Sequence, residues 1–273
     1  MKQLLAILLI GLMLPLFSLQ AQSPILLYDV IPSEELQRYY QQRGVQSYSL
    51  TNYRVYKGDT LSRGVYKYME FDPFGRIVYD STATAMGRQY RYLYNERGAL
   101  ARISKRTIKG DGYILVRSDS LDRKVEEIEI SHRLDTNEVR YYRYDEEGHM
   151  IEKEAVNPAT TTLTSYQYNQ QSQLEKTSAS TTTIKGEIET GTIYLRNAQG
   201  NITGIRELKD GNVRQVDNYL YNTLGQVNER RLPGKGEYYR YYYNGRGLLQ
   251  RIEVYDINRH TLKGWQEYEY QYF

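Results

Sequence analysis

A short turn sequence recurs along this chain and sets what it can fold into. It reads FDPFGRI, YNERGAL, YDEEGHM, YNQQSQL, RNAQGNI, YNTLGQV and YNGRGLL, and its closing residues are Gly75, Gly98, Gly148, Ser172, Gly200, Gly225 and Gly247. The spacings are 23, 50, 24, 28, 25 and 22 residues. The long gap holds two periods, so a degenerate unit is expected near SDSLDRKVEE, residues 118–127. A repeat of this length is one supersecondary unit that needs its neighbours to bury its apolar face. Asp or Asn at the head of the turn accepts backbone N–H groups, and Gly three residues later supplies the left-handed conformation that closes it. Ser172 lacks that freedom and predicts a strained or altered turn.

The residues around each turn alternate. One position before the Asp or Asn stand Phe71, Tyr94, Tyr144, Tyr168, Arg196, Tyr221 and Tyr243; three before it stand Met69, Tyr92, Tyr142, Tyr166, Tyr194, Tyr219 and Tyr241. Positions two apart share one face of a strand. The position between them is mixed, so one face is specified and the other is loose. Each unit therefore reads as a β-hairpin. Polar connectors at 104–112, 155–162, 209–212 and 232–237 join one hairpin to the next. Eight or nine periods give an all-β chain: tandem antiparallel hairpins in one long twisted meander sheet, an open barrel or a solenoid. One helix is expected in PSEELQRYYQQRG, residues 32–44, with Ser33 as its cap, Glu34 and Glu35 in its first turn and Gly44 at its end. It would cover the first strands.

The N-terminus reads as targeting rather than fold. Lys2 precedes an apolar run from Leu4 to Phe17, followed by Leu19-Gln20-Ala21. That layout is a secretory signal peptide cleaved to leave Gln22 first. The divisions are then 1–21 signal peptide, 22–46 leader with the capping helix and 47–273 repeat domain. The chain has no cysteine, so packing rather than disulfides must hold an exported domain together. Net charge is +3, with acids and bases interspersed, which gives no electrostatic footprint for nucleic acid or an anionic membrane.

At this point the runs YRYLYNERGALARI, YYRYDEEGHMIEK, YLYNTLGQVNERR and YRYYYNGRGLLQRIE resemble the YD repeats of Rhs proteins, over roughly residues 48–273. Most units here carry Asn for Asp, and the spacing is longer and looser. The resemblance implies a β shell. YYNGRG and KGWQEYEY are similar to MORN-like repeats. The ending SLQAQ resembles exported proteins of the Bacteroidetes, and DTL (59–61), DST (80–82) and DSL (119–121) resemble that phylum's O-glycosylation acceptor.

Chemistry-bearing motifs are few. The three histidines, His132, His149 and His260, have no ligand spacing. No Gly-x-Ser-x-Gly elbow or phosphate loop occurs. The DEEG turn at 145–148 falls short of the six to eight oxygens calcium takes. No cofactor or metal is expected. Paired carboxylates for glycoside hydrolysis need only meet in space, which leaves a hydrolase as one alternative. The 30 tyrosines are the anomaly. Those at the recurrent positions read as rungs between hairpins, since a binding site has no need to recur in every unit. The off-phase Tyr141, Tyr238 and Tyr242, beside Arg143 and Arg240, and the single Trp265 are better ligand candidates. The candidate site is Tyr141, Arg143, Arg240, Tyr242 and Trp265. The expected role is non-catalytic binding or scaffolding at the cell envelope, in periplasm, at the surface or secreted, with an envelope or host protein or a glycan as partner. An outer-membrane barrel is the second alternative. Against it, Gln271, Glu269 and Glu267, in phase with Phe273, cannot face lipid.

Overall fold

In the computed structural model, residues 33–83 and 87–273 are described. The expected signal peptide and the leader to residue 32 lie outside them, as do the side chains of Ser33, Glu34 and Glu35. A helix, α1 (Ser33–Gln41), precedes eighteen strands. These are β1 (Val45–Tyr56), β2 (Asp59–Phe71), β3 (Ile77–Thr82), β4 (Arg88–Tyr94), β5 (Leu100–Thr107) and β6 (Gly110–Ser118). Then come β7 (Lys124–Ile130), β8 (Thr136–Tyr144), β9 (Met150–Val156), β10 (Thr160–Tyr168), β11 (Leu174–Thr183) and β12 (Gly186–Arg196). The last six are β13 (Ile202–Lys209), β14 (Asn212–Tyr221), β15 (Val227–Leu232), β16 (Glu237–Tyr243), β17 (Leu249–Asp256) and β18 (Leu262–Tyr272).

Every strand pairs antiparallel with its sequence neighbours, and β1 also pairs with β18, from Val45↔Tyr272 to Arg54↔Gly264. The meander therefore closes into a barrel of eighteen strands. A ring of that number at standard strand spacing and tilt is roughly 35 Å across, far wider than two layers of side chains.

Eight five-residue turns, headed by Asp72, Asn95, Asp119, Asp145, Asn169, Asn197, Asn222 and Asn244, crowd one end. The expected degenerate unit is the turn Asp119–Arg123. Each head residue accepts backbone N–H bonds on its side-chain oxygen, as Asn95 does from Arg97 at 3.0 Å and Ala99 at 2.9 Å. Ser172 keeps the same bonds, donating to the Asn169 carbonyl at 3.0 Å, but at φ 59. The turn is strained, not altered. The connectors at the opposite end are shorter than the polar runs predict. The strand ladder takes in Ser104–Thr107 and leaves only Ile108 and Lys109 between β5 and β6.

The recurrent tyrosines face inward. Tyr142, Tyr194, Tyr219 and Tyr241 are buried, as are the apolar residues that open the outgoing strands, such as Ile202, Val227 and Leu249. Near each five-residue turn, neighbouring hairpins stop pairing: β3 meets β4 only from Tyr79↔Arg91 onward, and β15 meets β16 only from Glu229↔Arg240. Carbonyls left over there need a partner. The tyrosine before the turn supplies it. Tyr94 Oη donates to the Ile77 carbonyl at 2.8 Å, Tyr144 to Lys124 at 2.9 Å, Tyr168 to Met150 at 3.0 Å and Tyr243 to Val227 at 2.9 Å. Where the unit carries Arg196 instead, Nη2 donates to the Leu174 carbonyl at 3.0 Å. These side chains are the rungs between hairpins.

Helix α1 lies across the same end. Tyr40 is buried against Tyr48 of β1 and Phe71 of β2, with ring centroids 5.5 and 4.8 Å away. Tyr39 Oη donates to the Gly247 carbonyl at 2.6 Å. A methyl on Gly75 would clash with Gln41 Cβ, so the β2–β3 turn needs glycine there for the helix to seat.

Candidate functional site

The alternation that sends the rungs inward sends the off-phase residues out, and on four adjacent strands these form one connected strip. The register sets Tyr238↔Tyr255, Arg240↔Glu253 and Tyr242↔Arg251 across β16–β17, Arg251↔Glu267 and Glu253↔Trp265 across β17–β18, and Tyr53↔Trp265 across the β18–β1 seam. Cross-strand neighbours on one face interact, and here they do so throughout. Tyr238 and Tyr255 stack at 4.9 Å and 7°, with the Arg240 guanidinium 5.5 and 5.3 Å from the two rings, and these neighbours and His260 leave Tyr238 buried beneath the strip. Tyr255 and Tyr242 both donate to Glu253 Oε2, at 2.7 and 2.8 Å. Arg251 pairs with Glu253 at 2.8 Å and covers the Trp265 ring at 4.7 Å. Trp265 Nε1 donates to Glu267 at 3.0 Å, and its ring stacks on Tyr53 at 4.9 Å and 12°.

These bonds set the local acidities. The hydrogen bond to Glu253, aided by burial, pushes the Tyr255 phenol up to about 12. Burial would raise the Glu253 carboxyl, but the hydrogen bonds from Tyr255 and Tyr242 and the charge of Arg251 outweigh it and hold the group below the usual glutamate range. The strip is thus a fixed pattern of aromatic rings, cations and carboxylates, with Glu253 held ionised. Tyr242 and Arg240 stand free enough to meet a partner, with the Tyr242 residue 42% and the Arg240 side chain 50% exposed.

The structure brings Arg240, Tyr242 and Trp265 together and leaves Tyr141 and Arg143 elsewhere. Those two also face outward, but on β8, eight strands from β16. Arg143 pairs there with Glu152. The five therefore do not share one patch: phase along a strand gives the face, not the position around the ring. Sequence reading also missed Tyr53, Arg251, Glu253 and Tyr255. Tyr53 joins only through the seam, which no local pattern announces.

Among the described residues, two other constellations bear on chemistry. Asp145, Glu147 and His149 each place one donor atom within 4.8 Å of the others. Asp145 already accepts the His149 backbone N–H at 2.8 Å, and His149 stacks on Tyr168 at 4.8 Å. Three donors remain short of a calcium shell. A cleft of about 290 Å³ at the seam, lined by the strip's own Tyr53 and Trp265 with Asn52, Arg54, Glu237 and Lys263 among others, contains one carboxylate, where glycoside hydrolysis uses two. That carboxylate, Glu237, is bound by Lys263 and Tyr239.

No family model matches the chain, and no curated protein does. Among solved structures, a porin-like protein from Bacteroides vulgatus is similar at 10% identity and a TM-score of 0.44, covering 83% of this chain and 98% of that one. A porin-like protein from Bacteroides uniformis gives 11%, 0.44 and the same coverage. The TcdB2-TccC3-TEV structure gives 11% identity and a TM-score of 0.29, over 75% of this chain and 15% of that chain.

Proposed function

We propose that the protein is an exported, non-catalytic β-barrel that stands in water at the cell envelope and binds an envelope or host protein through the outward strip on β16, β17, β18 and β1. The observation that carries this reading is the strip itself. Its Tyr53–Trp265 end lines the seam cleft, while the rest is an open face; small-molecule sites are concave, whereas Tyr and Arg on an open face are residues that dominate protein interfaces. A glycan is the other partner such a face accepts. The test is a screen of the folded chain on envelope-protein and glycan arrays. Binding lost in Arg240→Ala and Tyr242→Ala but kept in Tyr141→Ala and Arg143→Ala supports the strip. Equal binding by all four variants removes it.

A second reading, an outer-membrane barrel, is favoured by the closed ring and its even number of antiparallel strands. The outward charges weigh against it. Arg143–Glu152, Arg231–Glu229 and Arg251–Glu253 lie within the strands, where each Arg would cost about 2–4 kcal/mol at a bilayer midplane. Solubility decides between them: a barrel that stays monodisperse without detergent fits the first reading, and one that needs detergent fits the second.

A further inference from the structure

The end of the barrel opposite those eight Asx-headed turns carries a feature the strip does not use. The tetrapeptide Thr-Ile-Lys-Gly occurs twice, at 107–110 between β5 and β6 and at 183–186 between β11 and β12. Both copies form the same turn. Lys109 N donates to Thr107 Oγ1 at 3.2 Å, and Thr107 Oγ1 donates to the Gly110 carbonyl at 3.2 Å. Lys185 and Thr183 repeat this at 3.0 Å each. The threonine and glycine build the turn, and nothing in it requires an isoleucine at the tip. Yet Ile108 is 76% and Ile184 96% exposed.

Between them on the rim, the β7–β8 turn holds Arg133 and Leu134. Leu134 sits at φ 66 and is 76% exposed. Left-handed backbone disfavours any residue but glycine, so an exposed leucine there serves neither the turn nor the core. Each of the three tips thus sets one large apolar side chain beside one base. The charge of the whole end agrees. Its described connectors carry six bases, Lys57, Lys109, Arg133, Lys185, Lys235 and Arg259, against two acids, Asp135 and Asp210. The eight turns of the other end carry four bases against seven acids.

We propose that this rim docks on an anionic phospholipid surface, with Ile108, Leu134 and Ile184 entering the headgroup layer and Lys109, Arg133 and Lys185 meeting lipid phosphates. Apolar side chains flanked by bases bind such an interface by burial plus attraction to anionic lipid. The inference rests on the barrel standing in water, and detergent dependence tests that separately.

The experiment is co-sedimentation of the full chain with vesicles of phosphatidylcholine alone or with phosphatidylglycerol, at low and high salt. The variants are Ile108→Ser/Leu134→Ser/Ile184→Ser and Lys109→Ser/Arg133→Ser/Lys185→Ser, with circular dichroism confirming the fold. The apolar N-terminal segment is common to all, so only differences between chains count. The expected result is salt-sensitive binding to the anionic vesicles, roughly 100-fold weaker without the three bases, at about fivefold per base, and lost without the three apolar tips. Folded variants that bind like the parent chain would overturn the proposal. So would variants that leave vesicle binding unchanged while abolishing self-association, which would assign the rim to a second copy of the chain.

Discussion

Replacing Tyr94, Tyr168 and Tyr243 with phenylalanine, singly and together, removes three rungs and leaves the rings that pack beside them. The hydroxyls donate to the carbonyls of Ile77, Met150 and Val227 at 2.8, 3.0 and 2.9 Å. Those carbonyls lie where consecutive hairpins have stopped pairing, so the phenol is the protein group that satisfies them. Leaving a buried acceptor unmade costs about 1–3 kcal/mol. The rungs are partly buried, which places each near the lower half of that range, about 1–1.5 kcal/mol. The three stand on β4, β10 and β16, six strands apart, so their effects should add. The triple variant should lose about 3–4.5 kcal/mol, and at about 2–4 °C per kcal/mol for a chain of this size its Tm should fall by roughly 6–18 °C. Tyr242→Phe is the control. Its hydroxyl meets Glu253 on the exposed outer face and should cost under about 1 kcal/mol. Urea unfolding followed by circular dichroism reads all of these. A triple variant within about 0.5 kcal/mol of the parent chain would refute the rungs as a stabilising device.

Three further outcomes follow from the same packing. Burial pushes the phenols of Tyr39 and Tyr94 up to about 12, and since their folded pKa lies above the unfolded value of 10.0, their contribution is complete below pH 10 and lost as pH rises towards 12; absorbance at 295 nm should show phenolate forming at higher pH in the folded chain than in urea. Asp217 is 5% exposed and takes two bonds from Arg230 at 3.0 and 2.9 Å, so Arg230→Met should destabilise by about 3–5 kcal/mol in urea melts. Ser172→Gly relieves a left-handed serine and should stabilise by about 0.5–1 kcal/mol in the same assay.

The hairpins were legible because each is local. An Asx head, a glycine and alternating side chains within 25 residues define a turn and two strands, and the tyrosine phase shows which face is specified. The unit at Asp119 was harder to see because Asp122, at φ 60, stands where every other unit but that of Ser172 has glycine. Closure was not legible, since it joins Val45 to Tyr272 through backbone bonds that leave no mark on composition or period. The site followed the same division. Arg240, Tyr242 and Trp265 announced their face by phase. Their nearness to Tyr53, and their distance from Tyr141, depend on how many strands complete the ring.

Closure of the ring is the claim on which the seam, the inward rungs and the strip all depend, and the absence of native cysteine makes it directly testable. Ser49 pairs with Glu269 across β1–β18, and Ser165 pairs with Ser178 across β10–β11. Paired strand residues bring their Cα atoms within disulfide reach. Cysteines at Ser49 and Glu269 should therefore join under mild oxidation as readily as cysteines at Ser165 and Ser178, giving a monomer that migrates faster on a non-reducing gel. Free thiols at the seam in a folded chain whose Ser165/Ser178 control has closed would contradict the barrel and leave an open sheet.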